Sequence, residues 1–481
     1  MEPEEEIVPD APAPLLDRPT PPGAPSLREW SGKSIYFLMI DRFADGDPTN
    51  NAAHGFGPEP DNPRGWRGGD LRGLIDKLDY IEGMGFDAIW ITPIYRQNKP
   101  QSYHGYWAWD FYDVDGHFGT MRDVVELREA MHKRGMALMI DVVANHTGDF
   151  RYLPGDYEEG AAPPFDKREW FNLNGPIKDF NNQADVESGE LSSLDDINQN
   201  HPEARAELLN TVRWLREQTG ADGFRIDTVK HVPKDFWAEY NAAAGVFCLG
   251  EVLHGDARYV APYQDVLDGL LDFAVYYASD RVFGRDAPMT DLAHELSKDE
   301  LYREPRLLAP FLDNHDVPRF LSKVHAEKSE QLRRLKLGLM FTFTVRGMPV
   351  LYYGTEQAFS GGMDPYNREM MVFDPTHPVY GFVARLNETR RKVPALRWGS
   401  TKVLVATETT MVIERVTDQG ESAYVVLNNG DTEARVAFPV KVANGQTLYD
   451  HFGNATPARV EYGFVRVGVD RRCGAVFAPG N

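Results

Sequence analysis

The sequence predicts an α/β fold: a (β/α)8 barrel with an inserted subdomain after its third strand, followed by a C-terminal antiparallel β-sandwich. Three observations support this prediction. Eight short apolar segments alternate with amphipathic helical stretches. A long segment rich in Gly, Pro, Asn and Asp interrupts this alternation once. Near the end of the chain the helical stretches disappear and short segments of alternating polar and apolar residues, typical of strands, follow one another. Strands that are covered on both faces are apolar along their length, as these eight segments are.

The eight predicted strands are spread over most of the chain. They are Ser34 to Ile40, Ala88 to Thr92, Ala137 to Val142, Gly223 to Ile226, Val246 to Leu249, Leu270 to Ala274, Leu307 to Leu312 and Val350 to Tyr353. Apolar residues recur at helical spacing between them, at Leu71, Leu74, Ile75, Leu78 and Ile81 after the first strand, and at Leu208, Val212 and Leu215 before the fourth.

These patterns divide the chain into domains. Residues 1–30 combine clustered Glu with repeated Pro and are expected to form a disordered tail. The barrel is expected at 31–147 and 193–397, the inserted subdomain at 148–192 and the sandwich at 398–481. The predicted sandwich strands are Met411 to Arg415, Ala423 to Leu427, Ala434 to Phe438 and Phe464 to Val467.

Composition excludes several classes of partner. The chain has 51 Lys and Arg against 73 Asp and Glu, a net charge of -22, which repels nucleic acid and anionic lipid. The apolar run from Leu337 to Val345 ends at Arg346 and is too short to cross a bilayer. We therefore expect no nucleic-acid partner, no membrane segment and a monomer. The two cysteines, Cys248 and Cys473, are expected to be separate thiols.

Three carboxylates stand out by position. Asp227, Glu251 and Asp316 each follow a predicted barrel strand, where active sites of barrels are built. Arg225 precedes Asp227 by two residues and shares its face of the strand, so its guanidinium either holds Asp227 ionised or forms a structural ion pair. If Glu251 keeps its proton, the pair meets the requirement for glycoside hydrolysis with retention.

Polar and aromatic side chains surround these positions. His146, His231 and His315 also fall at strand ends, as expected of a site that hydrogen-bonds many sugar hydroxyls. Four aromatics, Tyr103, Tyr106, Trp107 and Trp109, follow the second strand. Their rings either stack on a pyranose or pack within the fold.

The segments that carry these residues resemble the α-amylase family of glycoside hydrolases, from about Ile35 to the end of the chain. The motifs, in the family's order, are Gly85 to Pro93, Asp141-Val-Val-Ala-Asn-His146, Leu194-Asp-Asp-Ile-Asn198, Gly223-Phe-Arg-Ile-Asp-Thr-Val-Lys-His231, Gly250-Glu-Val252, Phe311-Leu-Asp-Asn-His-Asp316 and Gly347 to Glu356. The resemblance implies a TIM barrel that acts on starch and maltooligosaccharides.

The resemblance also implies roles. Asp227 would be the nucleophile, Glu251 the acid/base and Asp316 the assisting carboxylate. The implied substrate-binding residues are His104, Tyr106, His146, Arg225, Lys230, His231 and His315.

Calcium is implied at two places. Asn145, Asp196 and the backbone carbonyl of His231 resemble the site between the barrel and the inserted subdomain. A second set resembles the additional calcium loop of cyclodextrin glucanotransferases, although an Asp/Asn/Gly turn would look the same. It comprises Asp45, Asp47, Asn50, Asn51, Gly68 and Asp70.

Departures from the family narrow the expected activity. The pair Lys230-His231 is similar to the pair found at this position in α-amylases and glucanotransferases. The residues after Glu251 lack the aromatic side chain by which glucanotransferases hold an acceptor sugar. Hydrolysis is therefore favoured over cyclisation. The expected function is endo-hydrolysis, with a maltooligosaccharide-forming amylase or a glucanotransferase as alternatives, and a non-catalytic barrel as the alternative from another class. The resemblance implies an extracellular protein, with neither a signal peptide nor a separate starch-binding module expected in this numbering.

Overall fold

The computed structural model describes residues 15–18, 20, 23–150 and 160–480. Eight parallel strands of this part form one sheet in the order β8-β1-β2-β3-β4-β5-β6-β7. The strands are β1 Ile35–Leu38, β2 Ala88–Ile91, β3 Ala137–Val142, β4 Gly223–Ile226, β5 Phe247–Gly250, β6 Gly269–Leu271, β7 Leu308–Ala309 and β8 Val350–Tyr352. The predicted α/β barrel is confirmed.

Backbone hydrogen bonds close the barrel between its last two strands. Met348 N donates to Leu308 O and Val350 N to Pro310 O, both at 2.9 Å. The sixth predicted strand was too long: it ends at Leu271, and a helix begins at Phe273 because the Asp272 carboxylate accepts from Val275 N at 3.1 Å. The seventh strand is likewise shorter than predicted.

Helices connect and cover the strands. Their bounds in the described residues are Leu27–Ser31, Leu71–Asp76, Leu78–Met84, Met121–His132, Gln183–Val186, Pro202–Thr219, Lys234–Ala244, Ala257–Val260, Phe273–Ser279, Met289–Leu296, Lys328–Thr344, Pro378–Lys392 and Pro394–Trp398. Both predicted amphipathic stretches are helical. Within the described ranges, no helix combines the length and the apolar character that crossing a membrane requires.

The predicted tail differs from the structure where the structure describes it. Leu15, Leu16, Leu27 and Trp30 are buried, and a Ser26–Glu29 capping box begins the helix that carries Trp30. The Trp30 ring stacks on Phe247 with centroids 4.8 Å apart, beside the start of β5. The apolar residues of this segment have no periodicity, so their burial could not be predicted from pattern. The remaining predicted tail, 1–14, lies outside the described residues.

The structure describes the inserted segment after β3 at residues 148–150 and from residue 160 onward, and its predicted part 151–159 lies outside the described residues. It holds short helical turns and is tied to the barrel by isolated bridges, His146 with Asp196 and Phe171 with Ile197. An unpredicted antiparallel hairpin, Tyr95–Gln97 with Ala108–Val114, follows β2 and carries the aromatic cluster in its loop.

The C-terminal region forms the predicted antiparallel sandwich. Its strands in the described residues are β9 Ser400–Ala406, β10 Thr410–Val416, β11 Ser422–Asn428, β12 Ala434–Pro439, β13 Thr447–Asp450, β14 Ala458–Arg459, β15 Phe464–Val469 and β16 Cys473–Pro479. β12 pairs with β15, and the other six form the second sheet. The two sheets enclose a separate apolar core. Cys248 and Cys473 are free thiols, as predicted.

Candidate active site

An open cleft lies at the carboxyl ends of the barrel strands. It encloses about 440 Å³, and Asp227, Glu251 and Asp316 all line it. Parallel strands deliver the residues that follow them to one end of the barrel, so three positions far apart in sequence meet in one cleft. The structure therefore brings the three predicted catalytic residues together.

Arg225 lies at the centre of this group. Its side chain is fully buried, and Nη1 donates to Asp227 Oδ1 at 2.7 Å and to both oxygens of Asp141 at 3.0 Å. Nη2 lies 2.7 Å from Glu251 Oε1, but this contact is not aligned as a hydrogen bond. Glu251 Oε2 instead accepts from Thr228 N at 3.1 Å. The guanidinium thus binds Asp227 directionally and Glu251 by charge.

Three buried carboxyl groups around one guanidinium cannot all be ionised without a large free-energy cost. Burial, aided by the neighbouring charge of Glu251, raises the pKa of Asp227 well above its usual value, although the Arg225 guanidinium lowers it. Burial also raises the pKa of Asp141, to about 7, against the lowering effect of Arg225. The cluster therefore favours holding a proton, and its titration belongs to the group rather than to one residue.

Tyr106 and His315 frame the cleft beside these carboxyls. Tyr106 donates to Asp141 Oδ2 at 2.7 Å, and its ring stacks on His315 at 5.2 Å and 11°. His315 Nε2 lies 3.2 Å from Asp316 Oδ2. Tyr106 follows Gly105, whose φ of +89° and close approach to Pro93 O leave no room for a Cβ. The turn at Gly105 sets the position of Tyr106.

The cleft histidines are neutral near pH 7. Burial lowers the pKa of His146 to about 4 and that of His231 to about 3, and it places those of His104 and His315 well below the usual value. All four line the cleft. Ring nitrogens of His146, His231 and His315 are buried without a hydrogen-bond partner. Neutral imidazoles with free nitrogens can donate to or accept from sugar hydroxyls.

The predicted aromatics separate into two groups. Tyr103 and Trp107 line the cleft with Tyr106, whereas Trp109 is not among the lining residues. The Trp109 ring packs under the Arg96 guanidinium at 4.6 Å, and its Nε1 donates to Gly160 O. The first group, in the cleft, is therefore placed to stack on a sugar, whereas Trp109 packs within the fold.

Sequence reasoning missed part of the cleft wall. Asp364 and Arg368, which form an ion pair at 3.1 Å, line it from the loop after β8. Arg368 Nε also donates to His315 O at 3.2 Å, which fixes the Asp316 loop. Phe180 lines the opposite wall from the inserted segment with 62% of its surface exposed. These residues sit in loops without periodicity, so no pattern could have marked them.

Comparison with known proteins decides the family. The protein-family model described as "Alpha amylase, catalytic domain" matches residues 37–392 of this chain. The chain belongs to the α-amylase family. It is therefore a member of a family of glycoside hydrolases, as the motifs predicted.

Three relatives place the chain within the α-amylase family. A "Beta/alpha-amylase" of Paenibacillus polymyxa is 45% identical over 83% of this chain, which spans 34% of that relative's length. A solved α-amylase of Anoxybacillus has a TM-score of 0.85 at 36% identity, covering 94% of this chain and 99% of its own. A solved cyclomaltodextrin glucanotransferase with a three-domain arrangement has a TM-score of 0.85 at 29% identity, covering 93% and 99%.

The first metal-ligand set expected of an α-amylase family member lies next to the cleft, where Asp196 forms a backbone bridge with the cleft-lining His146. Asn145 Oδ1 and Asp196 Oδ1 are buried and have no hydrogen-bond partner. Asp196 Oδ2 accepts from Asn172 at 2.8 Å, and burial raises the pKa of Asp196 to about 8. Buried oxygens without donors fit a hard cation, so these residues fit calcium. His231 lies on the short turn Val229–His231 that follows β4.

The second set occupies the loop before the helix Leu71–Asp76. Asn50 Oδ1 and Asn51 Oδ1 are buried without partners, which again fits a cation. Asp70, another residue of this set, also has a structural role. Its carboxylate caps that helix by accepting from Gly73 N at 2.6 Å and also accepts from the backbone of Gly46 and Asp47. Asp45, Asp47 and Gly68 border the same loop.

A third cluster, His54, Asp115 and His117, also has metal-ligand chemistry within the described residues. Its ligand atoms already have partners, since His54 Nε2 accepts from Gly116 N at 3.1 Å. His117 Nδ1 lies 2.7 Å from Asp115 Oδ1, and His117 Nε2 lies 3.0 Å from Phe56 O. The cluster therefore fastens the loop that carries the second set.

Proposed function

We propose that the protein hydrolyses internal α-1,4-glucosidic bonds of starch and maltooligosaccharides with retention of configuration. The observation that carries the proposal is the contact of one buried guanidinium, Arg225, with both Asp227 and Glu251 at 2.7 Å. Retaining glycosidases require two close carboxyl groups, one ionised and one protonated. Arg225 bonds directionally to Asp227, which supports Asp227 as the ionised member.

In the proposed reaction Asp227 attacks the anomeric carbon while Glu251 protonates the leaving oxygen, and Glu251 then activates the water that releases the sugar. Asp316 and His315 hold hydroxyls of the distorted sugar. Of these three carboxyl groups, Asp316 has the most exposed side chain, at 32%, as suits direct contact with substrate.

The open cleft supports internal cleavage, because a polymer must pass through it on both sides of the carboxyls. His104, Tyr106 and His146 line the sugar on one side of the cut. Lys230, whose Nζ donates to Leu253 O at 3.1 Å, lines the leaving-group side. The exposed Phe180 ring favours a second candidate, transfer to an acceptor sugar, since a ring on the cleft wall can stack on an incoming pyranose.

A time course of products from soluble starch and from maltoheptaose tests the function. Endo-hydrolysis should give a mixture of linear maltooligosaccharides whose average length falls with time, and proton NMR should show the α-anomer of each new reducing end first. Cyclic products would indicate transferase activity, and a single product length would indicate exo-activity. Either result would contradict the proposal. A β-anomer as the first product would contradict retention.

We also propose that calcium binds at Asn145, Asp196 and His231 and, as a second site, at the loop formed by Asp45, Asp47, Asn50, Asn51, Gly68 and Asp70. The buried, unpartnered oxygens at both places support this assignment. A bound calcium ion would supply a fixed positive charge that orders the loops beside the cleft.

Chelation is expected to lower the thermal midpoint. Because the unfolded chain has no preformed site, calcium bound at 100 times its Kd stabilises the fold by about 2.7 kcal/mol, and EGTA should remove this contribution. Differential scanning calorimetry with and without EGTA measures the change, and added calcium but not added magnesium should reverse it. Asp196→Asn should reduce the response. An unchanged midpoint in excess EGTA would contradict structural calcium.

We propose an extracellular location as part of the same function, because a starch polymer cannot cross a bilayer. We also propose that the enzyme acts as a monomer, since one chain supplies every residue of the cleft described above.

A further inference from the structure

A second polar cavity lies far from the active-site residues in sequence, where the barrel meets the sandwich. It encloses about 300 Å³. Its walls come from the helix Lys328–Thr344, the helix Pro378–Lys392 and the turn that precedes β16. Its charged lining consists of five cations, Arg333, Lys336, Arg385, Arg471 and Arg472, and one carboxylate, Asp470. In a chain of net charge -22, this concentration of positive charge opposes the overall balance.

Some of these cations are neutralised by the protein. Arg472 is buried and paired with Asp286, Glu330 and Asp431 at 2.8 to 3.0 Å. Arg333 lies 3.8 Å from Glu330. Both therefore have carboxylate partners of their own.

Lys336 and Arg385 are different. In the part of the chain that the structure describes, neither forms an ion pair with a carboxylate. Burial, and to a lesser extent the charge of Arg385, lower the pKa of Lys336. Arg471, an exposed residue on the turn before β16, likewise lines the cavity and has no ion pair among the described residues.

Aromatic rings fix the two cations in place. Arg385 lies 4.1 Å from the centroid of Phe452, and Lys336 Nζ lies 5.5 Å from that of Phe382. The two rings meet edge to face at 5.1 Å. Cation–π contacts orient a cation without neutralising it, so its N–H groups stay available to a ligand. Arg and Lys held in this way bind tetrahedral oxyanions strongly.

We propose that this cavity, the junction pocket, binds a dianionic tetrahedral oxyanion, either a free inorganic ion or the phosphate group of a phosphorylated sugar. The anion bridges Lys336 and Arg385 of the barrel helices to Arg471 of the sandwich. It thereby joins the two domains.

Isothermal titration calorimetry of the full chain tests the proposal. Sulfate is the first probe, at constant ionic strength set with sodium chloride and at fixed calcium. Glucose 6-phosphate and glucose are the second and third probes. Sulfate or glucose 6-phosphate should bind at one site in the junction pocket, and glucose should not bind there. Tighter binding of glucose 6-phosphate than of sulfate assigns the ligand to the phosphorylated sugar, and the reverse assigns it to the inorganic ion.

Variants locate the site. Lys336→Gln should weaken binding at least about tenfold, because a charge-assisted hydrogen bond is lost, whereas Lys336→Arg should retain it. Lys402→Gln removes the same charge from an exposed position of β9 and should leave binding unchanged. Starch hydrolysis should be normal in all three variants. Absence of binding by both anions, or equal affinity in Lys336→Gln and the unmodified protein, overturns the proposal.

Discussion

Asp227→Asn is expected to reduce starch hydrolysis by about 10⁴-fold or more, because the covalent step loses its nucleophile. Asparagine has nearly the same shape and can still accept a hydrogen bond from Arg225 Nη1, so the fold should persist. Initial rates on maltoheptaose and the thermal midpoint measure the two effects. Near-normal turnover in the folded variant would refute the assignment.

Two controls sharpen this test. Asp364→Asn makes the same substitution on the cleft wall, outside the carboxyl cluster, and should cost far less activity. Asp227→Gly opens space beside the anomeric carbon, so azide with α-maltosyl fluoride should form β-maltosyl azide and release fluoride. An α-maltosyl azide product would indicate that Asp227 is not the nucleophile.

Arg225→Met should have the second large effect, on stability and on the pH profile together. It leaves the carboxyls of Asp141, Asp227 and Glu251 buried without their common cation, at a cost of about 3–5 kcal/mol in the free energy of unfolding. Arg225 lowers the pKa of Asp227, so its loss raises that pKa further. Ionised Asp227 is then reached only at higher pH, and the acid limb of kcat/KM should move upward by about one unit or more.

A matched variant separates the two effects. Arg390 is also buried, but its Nη1 donates to the backbone carbonyls of Phe343 and Leu396. Arg390→Met should therefore lower stability without moving the acid limb. If Arg225→Met does not fold, Arg225→Lys serves instead. It keeps the positive charge but lacks the two-pronged guanidinium group, so it should move the acid limb of kcat/KM by a smaller amount. An unmoved acid limb in both Arg225 variants would contradict the proposed electrostatics.

Much of the barrel could be predicted because its signals are local. A strand buried on both faces must be apolar, and the residue that follows it must lie at the carboxyl end of the barrel. This logic predicted that Asp227, Glu251 and Asp316 lie at one end of the barrel, and all three line one cleft there. It failed at Leu270 to Ala274, where the Asp272 cap ends the strand, and at Leu15 to Trp30, where scattered apolar residues are buried by packing alone.

The cleft wall shows what local signals miss. Arg368 and Asp364 contact each other and the Asp316 loop only because the segment after β8 folds back over the barrel. Asp70 has the chemistry of a metal ligand, and the structure shows in addition that its carboxylate caps a helix. Composition describes what a side chain can bind, and its neighbours decide what it does bind.

The sequence by itself determined the barrel, the family and the three carboxyl groups, since each follows from motifs that lie within one strand and its adjoining loop. Tertiary structure alone decided that Arg225 contacts both Asp227 and Glu251. That contact depends on the register of β4 against β5, where Arg225 lies opposite Leu249 and Ile226 opposite Gly250. Tertiary structure also decided that Lys336, Arg385 and Arg471 share the junction pocket. Charged residues that are distant in sequence come to line one cavity only when their domains pack together.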